Sequence, residues 1–142
     1  ATHESGDYGE AAYTAFENAD ARQAMEILVT GMHRFPNDAD FALRAGWIAL
    51  LTDHGERAYR FLLAGQQIGY RAEKVENAMA MLAVAALQCD AKEDASAYYA
   101  NLVESDATWK DVKAIEALDW PAELKYALES VRASTTLIAP TR

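Results

Sequence analysis

The chain of 142 residues is long enough for one domain with a hydrophobic core, and its 51% apolar and 25% charged residues are the proportions of an ordinary globular protein. Its net charge of −9, with no run of lysine and arginine, argues against a nucleic-acid partner or an anionic membrane surface and favours a basic partner or simple solubility. A single cysteine, Cys89, excludes an intrachain disulfide, and the longest apolar stretch, residues 78–87, is too short to span a membrane.

Helix is predicted almost throughout, because alanine is abundant whereas glycine and proline are scarce. A polar segment at residues 3–7 is expected to be frayed, and helix one follows at about 8–18. Helix two is predicted at about 21–34, with Asp20 as its N-cap and Pro36 as its stop.

Two further helices, at about 39–51 and 56–68, are predicted to lie antiparallel because only a tight turn separates them. Gly69 is expected to end the second of them in a left-handed conformation. Helix five is predicted at about 73–88 and helix six at about 92–104.

The last third of the chain predicts two more helical segments. Residues 108–118 indicate a helix or helical turn, and Pro121 lies in the first turn of a final helix that ends near Ala133. The apolar residues of this helix form one stripe, which is typical of a helix that caps a stack: Leu124, Ala127, Leu128 and Val131. Residues 134–142 are expected to be a disordered tail.

An internal repeat runs through the predicted hairpins. Residues 34 positions apart match in type: Ala12 with Gly46, Ala24 with Ala58, Leu28 with Leu62 and Gly31 with Gly65. A third copy follows at a shift of 37, where Asp53, Ala58 and Leu62 correspond to Asp90, Ala95 and Tyr99. A period of this size indicates stacked helix-turn-helix units, none of which can bury its apolar face alone.

These repeats resemble the tetratricopeptide family over residues 8–106. Repeat one (8–36) matches the family pattern at Ala24, Leu28, Gly31 and Pro36. Repeat two (39–70) matches it at Ala58, Leu62 and Gly65, and repeat three (73–107) matches it at Ala95, Tyr99 and Leu102. The resemblance implies an all-α fold, in which antiparallel helix-turn-helix repeats stack as a short right-handed solenoid and helices at 108–133 form a C-terminal cap. A more compact bundle of the same helices is the alternative.

Small residues at fixed positions give the pattern its physical meaning, because they let the two helices of a pair approach closely. Ala12, Gly46 and Ala83 do so from the first helix, and Ala24, Ala58 and Ala95 do so from the second. The chain departs from the pattern in three places: Ala42 replaces a large residue, and Tyr70 and Ala107 replace prolines.

The first helix of each such repeat lines a concave surface, so the resemblance implies a partner-binding face on helices one, three and five. The principal candidates are Tyr13, Phe16, Glu17, Leu43, Arg44, Trp47, Leu50, Met81, Val84 and Gln88, with Gly9, Glu10, Leu51, Ala80 and Leu87 beside them. Tyr13, Trp47 and Val84 hold equivalent places and are expected to form an apolar row. Such a row favours an amphipathic helix or an extended peptide with apolar anchors.

Arg44, beside Trp47, is suited to pair with a carboxylate or to stack on a ring. Two alternatives stay open: Trp47 belongs to the packed core, or the C-terminal helix fills the groove. Family members that grip acidic chaperone tails use lysine and asparagine in the groove. The matching positions here are Gly9, Tyr13, Leu43, Trp47 and Ala80, so the resemblance argues against that partner.

No catalytic or metal-binding pattern is visible in the sequence. The three histidines, His3, His33 and His54, lack metal-ligand spacing, and no phosphate-binding loop or nucleophile motif occurs. Asp53 and Asp90 recur in the inter-helix turns and are predicted to cap the helices that follow them. We therefore predict a non-catalytic protein without a cofactor or metal.

The leading hypothesis is a protein-interaction scaffold that binds a partner segment around Trp47. One alternative is a module that forms a homo-oligomer through an apolar face, which gains support if three residues lie on an uncovered end: Ile27, Met32 and Phe35. Another alternative is a small-ligand pocket, with the lining residues Tyr13, Trp47 and Met81.

The first residue is Ala1 and not methionine, so we expect that an upstream segment has been removed. If that segment was an export signal, the protein is periplasmic; otherwise it is cytoplasmic. The residues themselves do not distinguish these compartments.

Overall fold

The structure, a computed structural model, describes residues 2–17 and 20–138, and within them every regular element is a helix. The α-helices are α1 Thr2–Glu17, α2 Ala21–Arg34, α3 Asp40–Leu51, α4 Gly55–Ile68, α5 Val75–Gln88, α6 Lys92–Ser105, α7 Val112–Glu116 and α8 Ala122–Ile138. Two 3-10 turns occupy Ala72–Lys74 and Ala107–Lys110. The sequence predicted one domain; in the structure the chain divides into two compact units, Ala1–Ala72 and Glu73–Arg142, between predicted repeats two and three.

The first unit consists of two helical hairpins, α1–α2 and α3–α4, which meet where α2 packs against α3. On both second helices, a small residue, a leucine and a glycine recur at helical spacing and are buried: Ala24, Leu28 and Gly31 on α2, and Ala58, Leu62 and Gly65 on α4. A core cluster joins three of the helices, with the buried members Ala12, Ala15, Ala24, Leu28, Phe41, Ala45 and Ile48. The 34-residue repeat is therefore a repeat of buried positions.

Glycines set the spacing of helices in this unit. A Cβ atom at Gly46 would lie 2.6 Å from Cγ of Leu62, so α3 approaches α4 too closely for any side chain there. A Cβ atom at Gly31 would lie 2.6 Å from the ring of Phe41. The prediction that small residues let the two helices of a pair approach closely is confirmed at Gly46, whereas Gly31 permits the contact between α2 and α3.

Asp53 and Asp90 end the helices that precede them, and the prediction that they cap the following helices is wrong. Their φ angles are 62° and 63°, in the left-handed region. The next backbone N–H donates to the carbonyl five residues back, at 2.8 Å after Asp53 and 2.9 Å after Asp90. This bond defines a Schellman motif, in which a left-handed residue reverses the chain, and aspartate tolerates that conformation better than most residues.

Asp20 does act as predicted: its Oδ1 accepts the backbone N–H of Gln23 at 2.9 Å, which caps α2. Gly69 follows α4 with a φ of 107°, so its conformation has a positive φ as expected.

Tyr70 stands where the repeat pattern expects a proline and fixes the end of the first unit. Its hydroxyl donates to the carbonyl oxygen of Leu62 at 2.6 Å, and its ring lies so close to Gly65 that a Cβ atom there would collide with it. Burial raises the pKa of the Tyr70 phenol above its ordinary value.

The second unit is the hairpin α5–α6 covered by α8, which packs against both helices. The predicted apolar stripe of α8 supplies the contact, since Leu124, Leu128 and Val131 are buried. Helix α8 therefore occupies the capping position that its one-sided pattern predicts.

The Ala107–Lys110 turn is tied to its surroundings by hydrogen bonds. The indole N–H of Trp109 donates to Oε1 of Glu76 on α5 at 2.7 Å, and the hydroxyl of Tyr99 on α6 donates to the Trp109 carbonyl oxygen at 2.5 Å. Arg132 on α8, held by Glu129 at 2.6 Å, donates to the carbonyl oxygen of Lys110. Burial also raises the pKa of the Tyr99 phenol. The turn is thus bonded to three helices.

Both ends of the described chain are more helical than predicted. Helix α1 begins at Thr2, so residues 3–7 are helical and not frayed, whereas Asn18 lies outside the described residues. The prediction of a disordered tail from Ser134 is wrong for residues 134–138, which continue α8. Thr135 is buried, and its hydroxyl donates to the Val131 carbonyl oxygen at 2.8 Å, so tertiary packing overrides its weak helix propensity. Residues 139–142 lie outside the described residues.

Candidate protein-binding face

The first-helix face of the first unit, formed by α1 and α3, holds most of the accessible candidates. Arg44 on α3 joins the two helices: its Nε lies 2.7 Å from Oδ2 of Asp40, and its terminal nitrogen is 3.5 Å from the carbonyl oxygen of Gly9 on α1. Gly9 is buried, and a Cβ atom there would lie 3.3 Å from the guanidinium carbon of Arg44. An extended Arg44 side chain therefore lies across Gly9.

Aromatic side chains lie one turn further along each helix. Because each hairpin is antiparallel, α1 and α3 run in the same direction, and Tyr13 follows Gly9 as Trp47 follows Arg44. Tyr13 is 59% exposed, which is unusual for a large apolar side chain. Trp47 is half-buried and has polar or ring interactions of its own. The structure thus places an exposed tyrosine and a half-buried tryptophan beside a fixed arginine.

The other candidates on α1 and α3 are less accessible. Leu43 and Leu50 are buried, and Phe16 is half-buried against the core cluster. Leu51 is half-buried, whereas Glu10 is exposed. The side chain of Glu17 lies outside the described side chains.

In the second unit, most of the candidates on α5 are not on the surface. Val84 has no exposed area, and Met81 and Ala80 are also buried. The reason is that α5 is apolar around most of its circumference and is packed by α6 and α8. Val84 therefore cannot contribute to the accessible apolar row that was expected from Tyr13, Trp47 and Val84, and that expectation is corrected. Gln88, at the end of α5, is exposed, and Leu87 is half-buried.

The residues that would signal self-association are packed and not uncovered. Ile27, Met32 and Phe35 are partly buried against the core cluster of the first unit. Phe35 also stacks on Phe41 with 5.9 Å between ring centroids. These contacts give no support to an apolar end surface.

The first unit also has a hollow that the sequence analysis missed. It lies between α2 and the start of α4 and has a volume of about 580 Å³. Its walls include Met25, Val29 and Arg57, none of which was a candidate. No sequence signal could have located it, because it depends on how two helices from different hairpins are placed.

Residues 2–17 and 20–138 contain no group of three histidine, cysteine, aspartate or glutamate side chains suited to a metal ion. None of the helices in this part of the chain is long and apolar enough to cross a membrane.

No protein-family model matches the sequence, and no curated protein matches it significantly. Solved structures do match. The first TPR of Spaghetti (RPAP3), bound to the HSP90 peptide SRMEEVD, aligns with a TM-score of 0.71 at 12% identity, over 98% of this chain and 97% of that one. The Sgt2 TPR domain from Aspergillus fumigatus aligns with a TM-score of 0.67 at 13% identity, over 95% of this chain and 81% of that one.

These alignments establish the fold of the chain. The chain has the tetratricopeptide-repeat fold, and the all-α helical-repeat architecture predicted from the sequence is confirmed. At such low identity the likeness concerns the fold, and the function has to be argued from the surface of this chain.

Proposed function

We propose that the protein is a non-catalytic interaction module that binds a peptide or helix of a partner protein on the first-helix face of its first unit. The observation that carries this proposal is the exposed ring of Tyr13, one helical turn from the Arg44–Gly9 contact. Tyrosine and tryptophan supply large contact areas at low entropic cost, so Tyr13 and Trp47 are suited to anchor apolar side chains of a ligand.

Arg44 is suited to orient the bound ligand. Its Nε is occupied by Asp40, so the guanidinium is held in one place before any ligand arrives, and its side chain is still exposed to solvent. A carboxylate or carbonyl of the ligand would meet a pre-positioned donor. The proposed ligand therefore combines apolar anchors with a polar group near Arg44.

A similar fold supports this class of function, since the aligned TPR of RPAP3 was solved with an HSP90 peptide. We do not expect that peptide to bind on this face, because the positions that match a carboxylate clamp are Gly9, Tyr13, Leu43, Trp47 and Ala80. Clamp recognition depends on lysine and asparagine side chains that these residues cannot replace. A synthetic SRMEEVD peptide is a useful negative control for binding at this face.

The test is a pull-down from native extract with the intact chain, with Tyr13→Ala plus Trp47→Ala, and with Tyr126→Ala as matched control. Tyr126 lies on α8 of the second unit and is 76% exposed, so its removal deletes a comparable ring from another surface. Circular dichroism and light scattering first establish that each variant is folded and monomeric. Because Trp47 is half-buried, Tyr13→Ala alone keeps the test valid if the double variant unfolds.

We expect a partner that the intact chain and Tyr126→Ala both capture and that the Tyr13 and Trp47 variants lose. Equal capture by all variants would place the binding site elsewhere. A homo-oligomer in light scattering that the Tyr13 variant dissociates would favour self-association through this face instead.

A further inference from the structure

The hollow between α2 and α4, here called the α2–α4 groove, lies on the helices opposite to those of the proposed binding face. One side of α2 forms its wall, because Arg22, Met25, Glu26 and Val29 recur at helical spacing. His54 and Arg57, at the start of α4, close its other side. The groove therefore belongs entirely to the first unit.

The chemistry of the α2–α4 groove differs from that of the rest of the chain. Its wall is apolar at the half-buried Met25 and Val29, and its rim carries two arginines, Arg22 and Arg57, against the single Glu26. The whole chain has a net charge of −9, so a rim with excess positive charge stands out. An apolar wall between two guanidinium groups is complementary to an apolar side chain flanked by carboxylates.

Glu26 does not cancel this charge. It lies 3.6 Å from Nε of Arg22, and the two side chains are 69% and 91% exposed, so the pair is weak and solvent-screened. A ligand carboxylate can therefore compete for Arg22. Asp20 precedes the groove along the chain, but its carboxylate is occupied by the backbone N–H of Gln23.

His54 is fixed at the rim by a local hydrogen-bond chain. The hydroxyl of Thr52 donates to the Ile48 carbonyl oxygen at 2.8 Å, so its oxygen is left to accept from Nδ1–H of His54 at 3.0 Å. The imidazole is thus held at the mouth of the groove by the backbone of α3. One wall of the groove is pre-organised before a ligand binds.

We propose that the α2–α4 groove binds a short acidic peptide segment of a partner protein, with one apolar side chain over Met25 and Val29 and carboxylates at Arg22 and Arg57. The stretch of α2 from Ala21 to Thr30 is about 14 Å long at the helical rise, which matches about four residues of extended peptide. This is a second binding surface, separate from the face that carries Tyr13.

The experiment uses the full chain with methyl-labelled methionine and valine, observed by nuclear magnetic resonance. The probe is a synthetic hexapeptide of alternating glutamate and leucine, and a lysine and leucine peptide of the same length is its control. The test variant is Arg22→Ala plus Arg57→Ala. The matched control is Arg60→Ala, because Arg60 is an exposed arginine of α4 that is paired with Glu56 and does not line the groove.

We expect the acidic peptide to shift the methyl resonances of Met25 and Val29 saturably, and the affinity to fall with added salt. The double arginine variant should weaken binding about tenfold, whereas Arg60→Ala and Tyr13→Ala should leave it unchanged. If the acidic peptide still binds the Tyr13→Ala variant, its site is distinct from the first-helix face. The proposed groove and the proposed first-helix site can therefore each fail without the other.

Four results would overturn the proposal. They are no shift at Met25 and Val29, equal shifts with the lysine peptide, unchanged affinity in the double arginine variant, and a dimer in light scattering that the double variant dissociates. The last result would assign the groove to a second copy of the chain.

Discussion

At the scale of single residues, the glycines differ in what a side chain would meet. Gly46 faces the fully buried Leu62, whose branched end cannot move without disturbing the α3–α4 contact. Gly9 faces the guanidinium of Arg44, the far end of a flexible and exposed side chain. The same substitution should therefore have opposite consequences at the two positions.

We predict that Gly46→Ala lowers the free energy of unfolding by about 1–3 kcal/mol, because the added methyl group overpacks the helix contact. Gly9→Ala is the matched control and should leave stability unchanged or raise it by up to about 1 kcal/mol, since alanine favours helix. Urea denaturation followed by circular dichroism measures both. A loss at Gly9 as large as at Gly46 would show that Arg44 cannot yield.

Aspartate shows how far sequence reasoning reaches at this scale. Asp20 and Asp53 both lie just before a helix, and the sequence predicts an N-cap for each. Only Asp20 caps the next helix, whereas Asp53 has a positive φ and ends the previous one. Aspartate suits both the N-cap of a following helix and the left-handed position that ends a preceding helix, so the local sequence could not decide between these two roles.

At the scale of elements, two tyrosine hydroxyls tie the ends of helical hairpins to backbone carbonyls. Tyr70 bonds to Leu62 in the first unit, and Tyr99 bonds to Trp109 in the second. Because burial raises the pKa of both phenols, the folded protein retains their protons at pH values where the unfolded chain loses them. Stability from these groups is thus complete below about pH 10 and declines as the pH rises further.

We predict that the free energy of unfolding falls steeply above about pH 10. Tyr70→Phe plus Tyr99→Phe should be less stable at neutral pH, by about 1 kcal/mol for each lost hydrogen bond, but should show a shallower alkaline decline. Urea titrations at several pH values between neutral and alkaline measure how steeply the free energy of unfolding falls with pH in the parent chain and in the double variant. Parallel slopes in the two proteins would mean that other groups control alkaline unfolding.

Helix α8 offers a second comparison at this scale. Leu128 is fully buried against the α5–α6 hairpin, whereas Tyr126 on the same helix is 76% exposed. Leu128→Ala should cost about 2–5 kcal/mol, from lost burial and the cavity left behind. Tyr126→Ala should stay within about 0.5 kcal/mol of the parent. Thermal and urea unfolding measure both, and similar losses would contradict the packing of this helix.

At the scale of the whole molecule, net charge is the dominant electrostatic feature. A chain with a charge of −9 repels itself when compact, and salt screens that repulsion. We predict that raising NaCl from about 20 mM to about 0.5 M increases Tm by about 3–4 °C, equivalent to about 1 kcal/mol. Differential scanning calorimetry measures the shift.

The matched variant for this prediction is Glu10→Gln plus Glu104→Gln, which neutralises two exposed carboxylates. It should show a smaller rise with salt than the parent chain. A Tm that falls as salt is added would mean that attractive ion pairs, such as Arg132–Glu129, outweigh the repulsion.

The fold was largely predictable from the sequence, and the site was not. Periodicity and stop residues located each helix pair, because those signals are local. The Trp109 turn and the Tyr70 bond escaped prediction, since each depends on residues brought together by packing. Val84 and Met81 were assigned to a surface by the family resemblance, but both are buried. Because α5 is apolar on nearly all sides, its sequence gives no sign of which side is exposed.

The Schellman turns at Asp53 and Asp90 also bear on how such a chain could have grown. The hairpins α3–α4 and α5–α6 each carry the signal that reverses them within their own sequence, and the two signals lie 37 residues apart. A gene duplication that copied one hairpin would copy its turn intact, and no new connection would have to arise. Lengthening by whole hairpins would therefore preserve the turns, whereas the helices between them must keep the small residues, such as Gly46, that their close contacts require.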